Sequence, residues 1–151
     1  MNCTLIFPNN LFEDKSFFDK NSKVFVFQDP LFFNDEKYPI KFNKKKILMH
    51  LLSTEKYHMD LVNSGYDSEL IKFHELSGKE YIKNFIEKYK IKSINLYEII
   101  DFEQKKRFVD QAEKSNVDLI WTENPMFMLS ENEVKKEFSE KKKFLMANFY
   151  K

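Results

Sequence analysis

Five short apolar runs, at residues 3–7, 23–27, 69–73, 93–97 and 117–121, alternate with segments of helical period, and this alternation limits the fold more than any other feature. Several of the runs are continuously apolar rather than alternating, the pattern of strands covered on both faces. Between them, Ile47, Leu48, Leu51, Leu52, Met59 and Val62 form one stripe over about residues 41–64, and Gly65 is placed to stop that helix. Tyr81, Ile82, Phe85, Ile86 and Tyr89 form a second stripe, and Phe108, Val109 and Ala112 a shorter third before Ser115-Asn116. Helices between strands imply crossover connections and a parallel sheet. The right-handed crossover rule then predicts an α/β, Rossmann-like, doubly wound five-stranded sheet in order 3-2-1-4-5, with helices on both faces. Its crevice opens at the carboxyl ends of the strands, bordered by the loops at residues 8–16 and 28–39.

A chain of 151 residues is one domain's worth. Seventeen Phe and seven Tyr supply a large core, so a disordered chain is excluded. The net charge of +1 leaves no global electrostatic footprint for nucleic acid or an anionic membrane, and direct DNA binding is not expected of this chain. One cysteine, Cys3, excludes an intrachain disulfide and a Cys-clustered metal or iron–sulfur site, and fits a reducing compartment. Asn2-Cys3-Thr4 matches a glycosylation sequon, yet the N-terminus lacks the basic segment and apolar run of a signal peptide. No stretch approaches the ~20 apolar residues that span a bilayer, so an intracellular, soluble, cytoplasmic protein is expected.

The chemistry open to such a sheet is narrow. With only Gly65 and Gly78, neither a dinucleotide fingerprint nor a Walker loop can form, and Ser77-Gly78-Lys79 reads as a turn opening a helix. His50, His58 and His74 make no ligand pair; on a helical wheel His58 lies near the apolar stripe and His50 on the far side, and structural roles are expected for all three. Cys3 reads as a small core residue rather than a nucleophile, and no serine sits in a nucleophile elbow. The lysine runs at 44–46 and 141–143 read as solvated helix faces balanced by nearby acids, Asp35-Glu36 for the first and Glu131, Glu133, Glu137 and Glu140 for the second. Phe17-Phe18 and Phe32-Phe33 stand out, the second pair in a loop, where large apolar side chains must enter the crevice, pack in the core or face a partner.

Four motifs in order resemble one family. Thr4-Leu5-Ile6-Phe7-Pro8-Asn9-Asn10-Leu11-Phe12-Glu13-Asp14 is similar to an opening strand and chromophore-side loop, and Val24-Phe25-Val26-Phe27-Gln28-Asp29-Pro30-Leu31-Phe32-Phe33 to a second strand and its loop. Phe42-Asn43-Lys44-Lys45-Lys46-Ile47 is similar to the basic start of a first long helix. Asn124-Pro125-Met126-Phe127-Met128-Leu129-Ser130 with the Lys-rich tail ending Phe149-Tyr150-Lys151 is similar to a link into a helical domain. Together they resemble the N-terminal domain of the deoxyribodipyrimidine photolyase-related branch of the cryptochrome/photolyase superfamily.

That resemblance implies a crevice holding an antenna chromophore, a lumazine, deazaflavin or folate in different branches, which passes excitation energy to flavin in a helical domain. It points to Pro8, Asn9, Asn10 and Leu11 after the first strand, and to Gln28 and Asp29 after the second, as chromophore-binding residues. Relatives often place Asp-Gln where this chain has Asn9-Asn10, and Glu at Gln28; amides keep hydrogen-bonding capacity but lose the negative charge. By the same resemblance, residues 1–140 form the α/β domain and 141–151 begin a linker toward a flavin-binding helical domain. FAD, its iron–sulfur cluster and light-driven DNA repair are therefore not expected of this chain alone, as though the protein were truncated or split. The competing expectation is an interaction module that has lost its chromophore. In either case Phe144, Leu145, Phe149 and Tyr150 are expected to meet a partner, a separate flavin-binding helical polypeptide or a second copy.

Overall fold

The computed structural model describes residues 1–138. Strands β1 (Asn2–Ile6), β2 (Lys23–Phe27), β3 (Ser68–Ile71), β4 (Ser93–Tyr97) and β5 (Asp118–Thr122) form one sheet in order β3-β2-β1-β4-β5, every neighbouring pair parallel. The helices are α1 (Lys44–Asn63), α2 (Tyr81–Tyr89), α3 (Phe102–Lys114) and α4 (Glu131–Phe138). This is the Rossmann-like arrangement that the alternation of the sequence predicts.

Side chains alternate across the pleat, so each strand feeds two cores. One joins Leu5, Phe25, Phe27 and Leu96 of the sheet to Ile82 and Phe85 of α2 and Phe108 and Ala112 of α3. Its aromatic rings meet edge-on, Phe25 and Phe27 each 5.0 Å from Phe85, a geometry that adds attraction beyond the area buried. The other joins Ile6, Val24, Val26 and Tyr97 to Tyr57 and Leu61 of α1. Residues 7–22, between β1 and β2, contain no helix. Their aromatic side chains cover the sheet instead: Phe12 and Phe17 lie 4.9 and 4.2 Å from the Tyr97 ring, and Phe18 is buried beside Phe17. The Phe17-Phe18 pair is therefore core.

α1 departs from expectation. Of the stripe Ile47, Leu48, Leu51, Leu52, Met59 and Val62, only Ile47 and Leu51 are half-buried and the rest are exposed; the buried residues of the helix are His50, Thr54, Tyr57 and Leu61. Polar anchoring overrides apolar count here. Tyr57 donates its hydroxyl to the Phe12 carbonyl at 2.8 Å, and Thr54 accepts from the Gln28 side-chain amide at 2.8 Å, fixing the rotation of the helix about its axis. His50, expected on the far side, thus turns inward. The stop at Gly65 forms as expected: at φ +83°, Gly65 donates to Val62 O and Tyr66 to Leu61 O, the paired bonds that close a helix through a left-handed residue.

Two further features differ from the sequence reading. β5 is an edge strand with Ile120 and Trp121 partly exposed, so its apolar run is not covered on both faces. α4 begins at Glu131, ahead of the lysine-rich tail, and its start is written in Ser130 and Glu133: Glu133 Oε2 accepts from Ser130 N at 2.8 Å and Ser130 Oγ accepts from Glu133 N at 3.2 Å, a reciprocal capping box. The tail residues Phe144, Leu145, Phe149 and Tyr150, and with them the linker at 141–151, lie outside the described residues.

Phe108 is fully buried and lies 5.7 Å from the Phe7 ring, where α3 meets the sheet. Phe108→Ala is expected to lower unfolding free energy by about 3 to 5 kcal/mol, the cost of lost burial plus a residual cavity, measured as a drop in the urea midpoint.

Candidate functional site at the carboxyl edge of the sheet

The carboxyl ends of β1, β2 and β4 carry a cluster of buried polar side chains. After β1 the chain turns at once, with Asn10 N donating to Phe7 O at 2.9 Å, and this turn buries Pro8 and Asn10 and half-buries Asn9 and Leu11. The Oδ1 atoms of Asn9 and Asn10 are buried without a hydrogen-bond partner. After β2, Gln28 and Asp29 point to opposite faces, as successive strand residues must. Gln28 Nε2 donates to Thr54 of α1 while its Oε1 accepts from Phe73 N at 3.3 Å, so both ends of the amide are engaged in joining α1 to the segment after β3.

Asp29 faces the other layer and has no exposed surface. Its Oδ1 caps the following 3-10 turn through Leu31 N at 3.0 Å and accepts from the Tyr81 hydroxyl at 3.0 Å, while Oδ2 accepts from Gln104 Nε2 at 3.1 Å. Burial pushes the Asp29 carboxyl above its ordinary range, and these donors together with nearby Arg107 pull it back. Gln104 is itself positioned by the Asp101 cap of α3, and its Oε1 is buried without a partner.

His50 completes the group. Its ring is held by the edges of Phe32 and Phe33, 5.5 and 6.1 Å away, and Phe33 stacks on Phe73 at 4.8 Å. The Phe32-Phe33 pair therefore packs inward, against a histidine. Burial, aided by Lys46, pushes the His50 imidazole below its usual value, favouring the neutral ring, and its Nδ1 is buried without a partner. Three amide oxygens, of Asn9, Asn10 and Gln104, and one imidazole nitrogen, of His50, are thus buried without a hydrogen-bond partner among the described residues, each costing stability unless something bonds it.

Asp35 and Arg107 were not legible as a pair. Arg107 is the one arginine of the chain, and both its terminal nitrogens reach the buried Asp35 carboxylate, Nη2 to Oδ1 at 3.2 Å. Asp35 therefore does not balance the lysines at 44–46, which stand exposed. It also accepts from Lys37 N and Tyr38 N at 3.0 and 2.8 Å, and Tyr38 donates to Glu103 at 2.7 Å, so the 28–39 loop is clamped onto α3. A planar fork suited to a bidentate carboxylate contact is what distinguishes arginine from twenty-four lysines. A cleft of about 870 Å³ runs beside this clamp between the 28–39 loop, residues 73–81 and α3; its lining includes Asp35, Tyr81 and Arg107 but neither Asn9 nor Asn10.

The remaining candidates are structural. Cys3 is fully buried, and burial pushes its thiol up to about 12, so it is no nucleophile at neutral pH. His58 Nδ1 lies 2.9 Å from Ser68 Oγ, tying α1 to β3, and exposed His74 sits edge-on to Phe73. Among the described residues no cluster of metal-ligating side chains occurs, and no helix is long and apolar enough to cross a membrane.

A family model for deoxyribodipyrimidine photo-lyase-related protein matches residues 4–151, nearly the whole chain. The chain belongs to that family. A relative from Acanthamoeba polyphaga mimivirus, "Uncharacterized protein R852", is 28% identical over 159 aligned positions that cover 99% of this chain and 79% of the relative. The four motifs that suggested the family from sequence lie within the matched span.

Burial alone would raise the Asp35 carboxyl, but the Arg107 guanidinium and the two backbone N–H groups outweigh it and hold it below its ordinary value. A carboxyl whose folded pKa is lowered contributes stability above its unfolded value of about 3.9, and that stability is lost as pH falls through the folded value. Arg107→Met is expected to cost about 3 kcal/mol at neutral pH by leaving a buried carboxylate unpaired. The same substitution should flatten the acid limb of a stability-versus-pH curve measured by urea unfolding.

Proposed function

We propose that this photolyase-related domain binds a planar, neutral heteroaromatic chromophore of the antenna class, lumazine or deazaflavin in type, at the carboxyl edge of its sheet. The observation that carries the reading is the set of buried atoms without partners, Asn9 Oδ1, Asn10 Oδ1, His50 Nδ1 and Gln104 Oε1, carried by the turn after β1 and by helices α1 and α3, in a fold whose ligands bind at the carboxyl ends of the strands. Such ring systems offer one ring N–H donor, at N3 between two carbonyls, and ribityl hydroxyl donors beside it, partners for acceptors of this kind, and a flat face suited to aromatic walls. Asn9, Asn10, His50 and Gln104 would hold the ring edge, with Pro8 and Leu11 beside them. Gln28 and Asp29, whose own polar atoms are engaged, position the elements around it. When bound, such a group absorbs light and hands the excitation to an acceptor. The chain's own part is to bind, orient and keep water away, and light-driven repair by this domain alone is not part of the proposal.

A second reading, a protein-interaction module, is favoured by a different observation. Ile100, Phe102, Trp121, Met126, Phe127 and Met128 are 45%, 72%, 37%, 60%, 57% and 100% exposed. They belong to chain segments that meet at one corner, where Asn124 Nδ2 bonds Glu98 O at 3.0 Å and Glu98 N bonds Thr122 O at 2.9 Å. A separate flavin-binding helical polypeptide is the partner this reading assigns to that surface.

The two readings part on titration of the purified chain with 6,7-dimethyl-8-ribityllumazine and with a 5-deazaflavin, followed by ligand fluorescence. Saturable binding is expected, weakened at least about tenfold by Asn10→Leu, since a lost buried hydrogen bond is worth about 1 to 3 kcal/mol. No binding of either ring at millimolar ligand sinks the chromophore reading and leaves the interaction module.

A further inference from the structure

α1 turns an apolar stripe to solvent. Opposite its core-facing His50, Thr54, Tyr57 and Leu61, the residues Leu48, Met49, Leu52, Met59 and Val62 are 54%, 56%, 57%, 61% and 49% exposed. A surface helix ordinarily carries polar residues on that side. The stripe amounts to an apolar patch on the order of 500 Å², a size at which patches on soluble proteins are often functional. Beside it an open groove of about 470 Å³, lined by Glu55, His58, Met59 and Leu70, separates α1 from the free edge of β3.

We infer that this face pairs with the same face of a second copy, the two α1 helices antiparallel about a two-fold axis. In such a contact, if residue i faces residue j of the other copy, then j faces i. The register that sets Leu52 against Met59 of the second copy also sets Met49 against its Val62. The same register places Glu55 against Lys56 of the second copy, and Lys56 against its Glu55. The one break in the apolar stripe is thus self-complementary in charge. In the single chain Lys56 makes an exposed pairing with Asp60 at 3.1 Å, a contact weak enough to be shared or exchanged. A membrane surface fits less well, because Glu55 lies within the stripe and Asp60 beside it. The contact is smaller than the ~800 Å² per partner of a standard interface, so the dimer is concentration-dependent.

Sedimentation equilibrium of the full chain between about 1 and 500 µM tests this, a range that brackets the weak affinity of small interfaces. A reversible monomer–dimer equilibrium is expected. Leu52→Glu should weaken it at least about tenfold, a loss of about 1.4 kcal/mol, with an unchanged far-ultraviolet circular dichroism spectrum because Leu52 is already exposed. Glu55→Lys alone should weaken it as well, and adding Lys56→Glu should restore it, which only the two-fold register explains. A chain monomeric at every concentration overturns the inference. So does a dimer indifferent to Leu52→Glu, a charge swap no better than its single parent, or a monomer whose stripe instead binds phosphatidylserine vesicles.

Discussion

The carboxyl edge of this sheet is organised around one buried carboxylate. Asp29 sits where β2 runs out, with no exposure, and accepts from the 3-10 turn that follows it, from the first residue of α2 and from the first turn of α3. Three elements far apart in sequence are thereby brought to a common point, and their loops inherit its position. Such a group is costly in isolation, since burial disfavours its charged form. Because its folded pKa is raised, the ionised form opposes folding as pH rises through that value, and the donors around it exist to limit the loss. The Asp35–Arg107 clamp one loop further on lies close enough for Arg107 to favour the Asp29 charge as well.

A saturated centre gives meaning to the unsaturated rim. Gln28 and Asp29 use every polar atom on the scaffold, whereas Asn9, Asn10, His50 and Gln104 each keep one atom unengaged. An unpaired buried acceptor costs about 1 to 3 kcal/mol, so these atoms are where a bound water or ligand would add most. Asn10, in the turn after β1, keeps an unengaged oxygen, whereas Asp29, in the loop after β2, has both oxygens engaged.

Sheet order and strand positions were legible because they rest on long-range apolar pattern, which five runs and two glycines leave little room to misread. α2 and α3 were equally clear, their buried faces being apolar: Ile82, Phe85 and Ile86 in one, Phe108 and Ala112 in the other. α1 was not. Its inward face carries His50, Thr54 and Tyr57, and its outward face is the greasier one, so a reading by hydrophobic count rotates the helix by roughly a third of a turn. The true orientation depends on the Gln28–Thr54 and Tyr57–Phe12 bonds, which join residues distant in sequence and leave no periodic trace. Candidate site residues fared in the same way. Their location at the strand ends followed from topology, but which of their atoms the scaffold engages did not, and the burial of His50 and Gln104 was not evident because each belongs to a helix face defined only by what packs on it. Two signals were available and unused: the single arginine among the basic residues, and the Ser130–Glu133 spacing of the α4 cap.

The inverted amphipathicity of α1 also constrains how the domain can be used. Its exposed stripe lies over the β3 edge, while the apolar corner of Ile100, Trp121 and Met126 lies at the opposite β5 edge, with the carboxyl-edge crevice between them. Because the two surfaces occupy opposite ends of the sheet, a second copy on one does not compete with a different partner on the other. Neither covers the Asn9–Asn10 turn, which hangs from the central strand β1. Central placement shields that turn from both surfaces, and it is what a ligand site needs if it is to stay dry while the edges of the sheet carry the contacts.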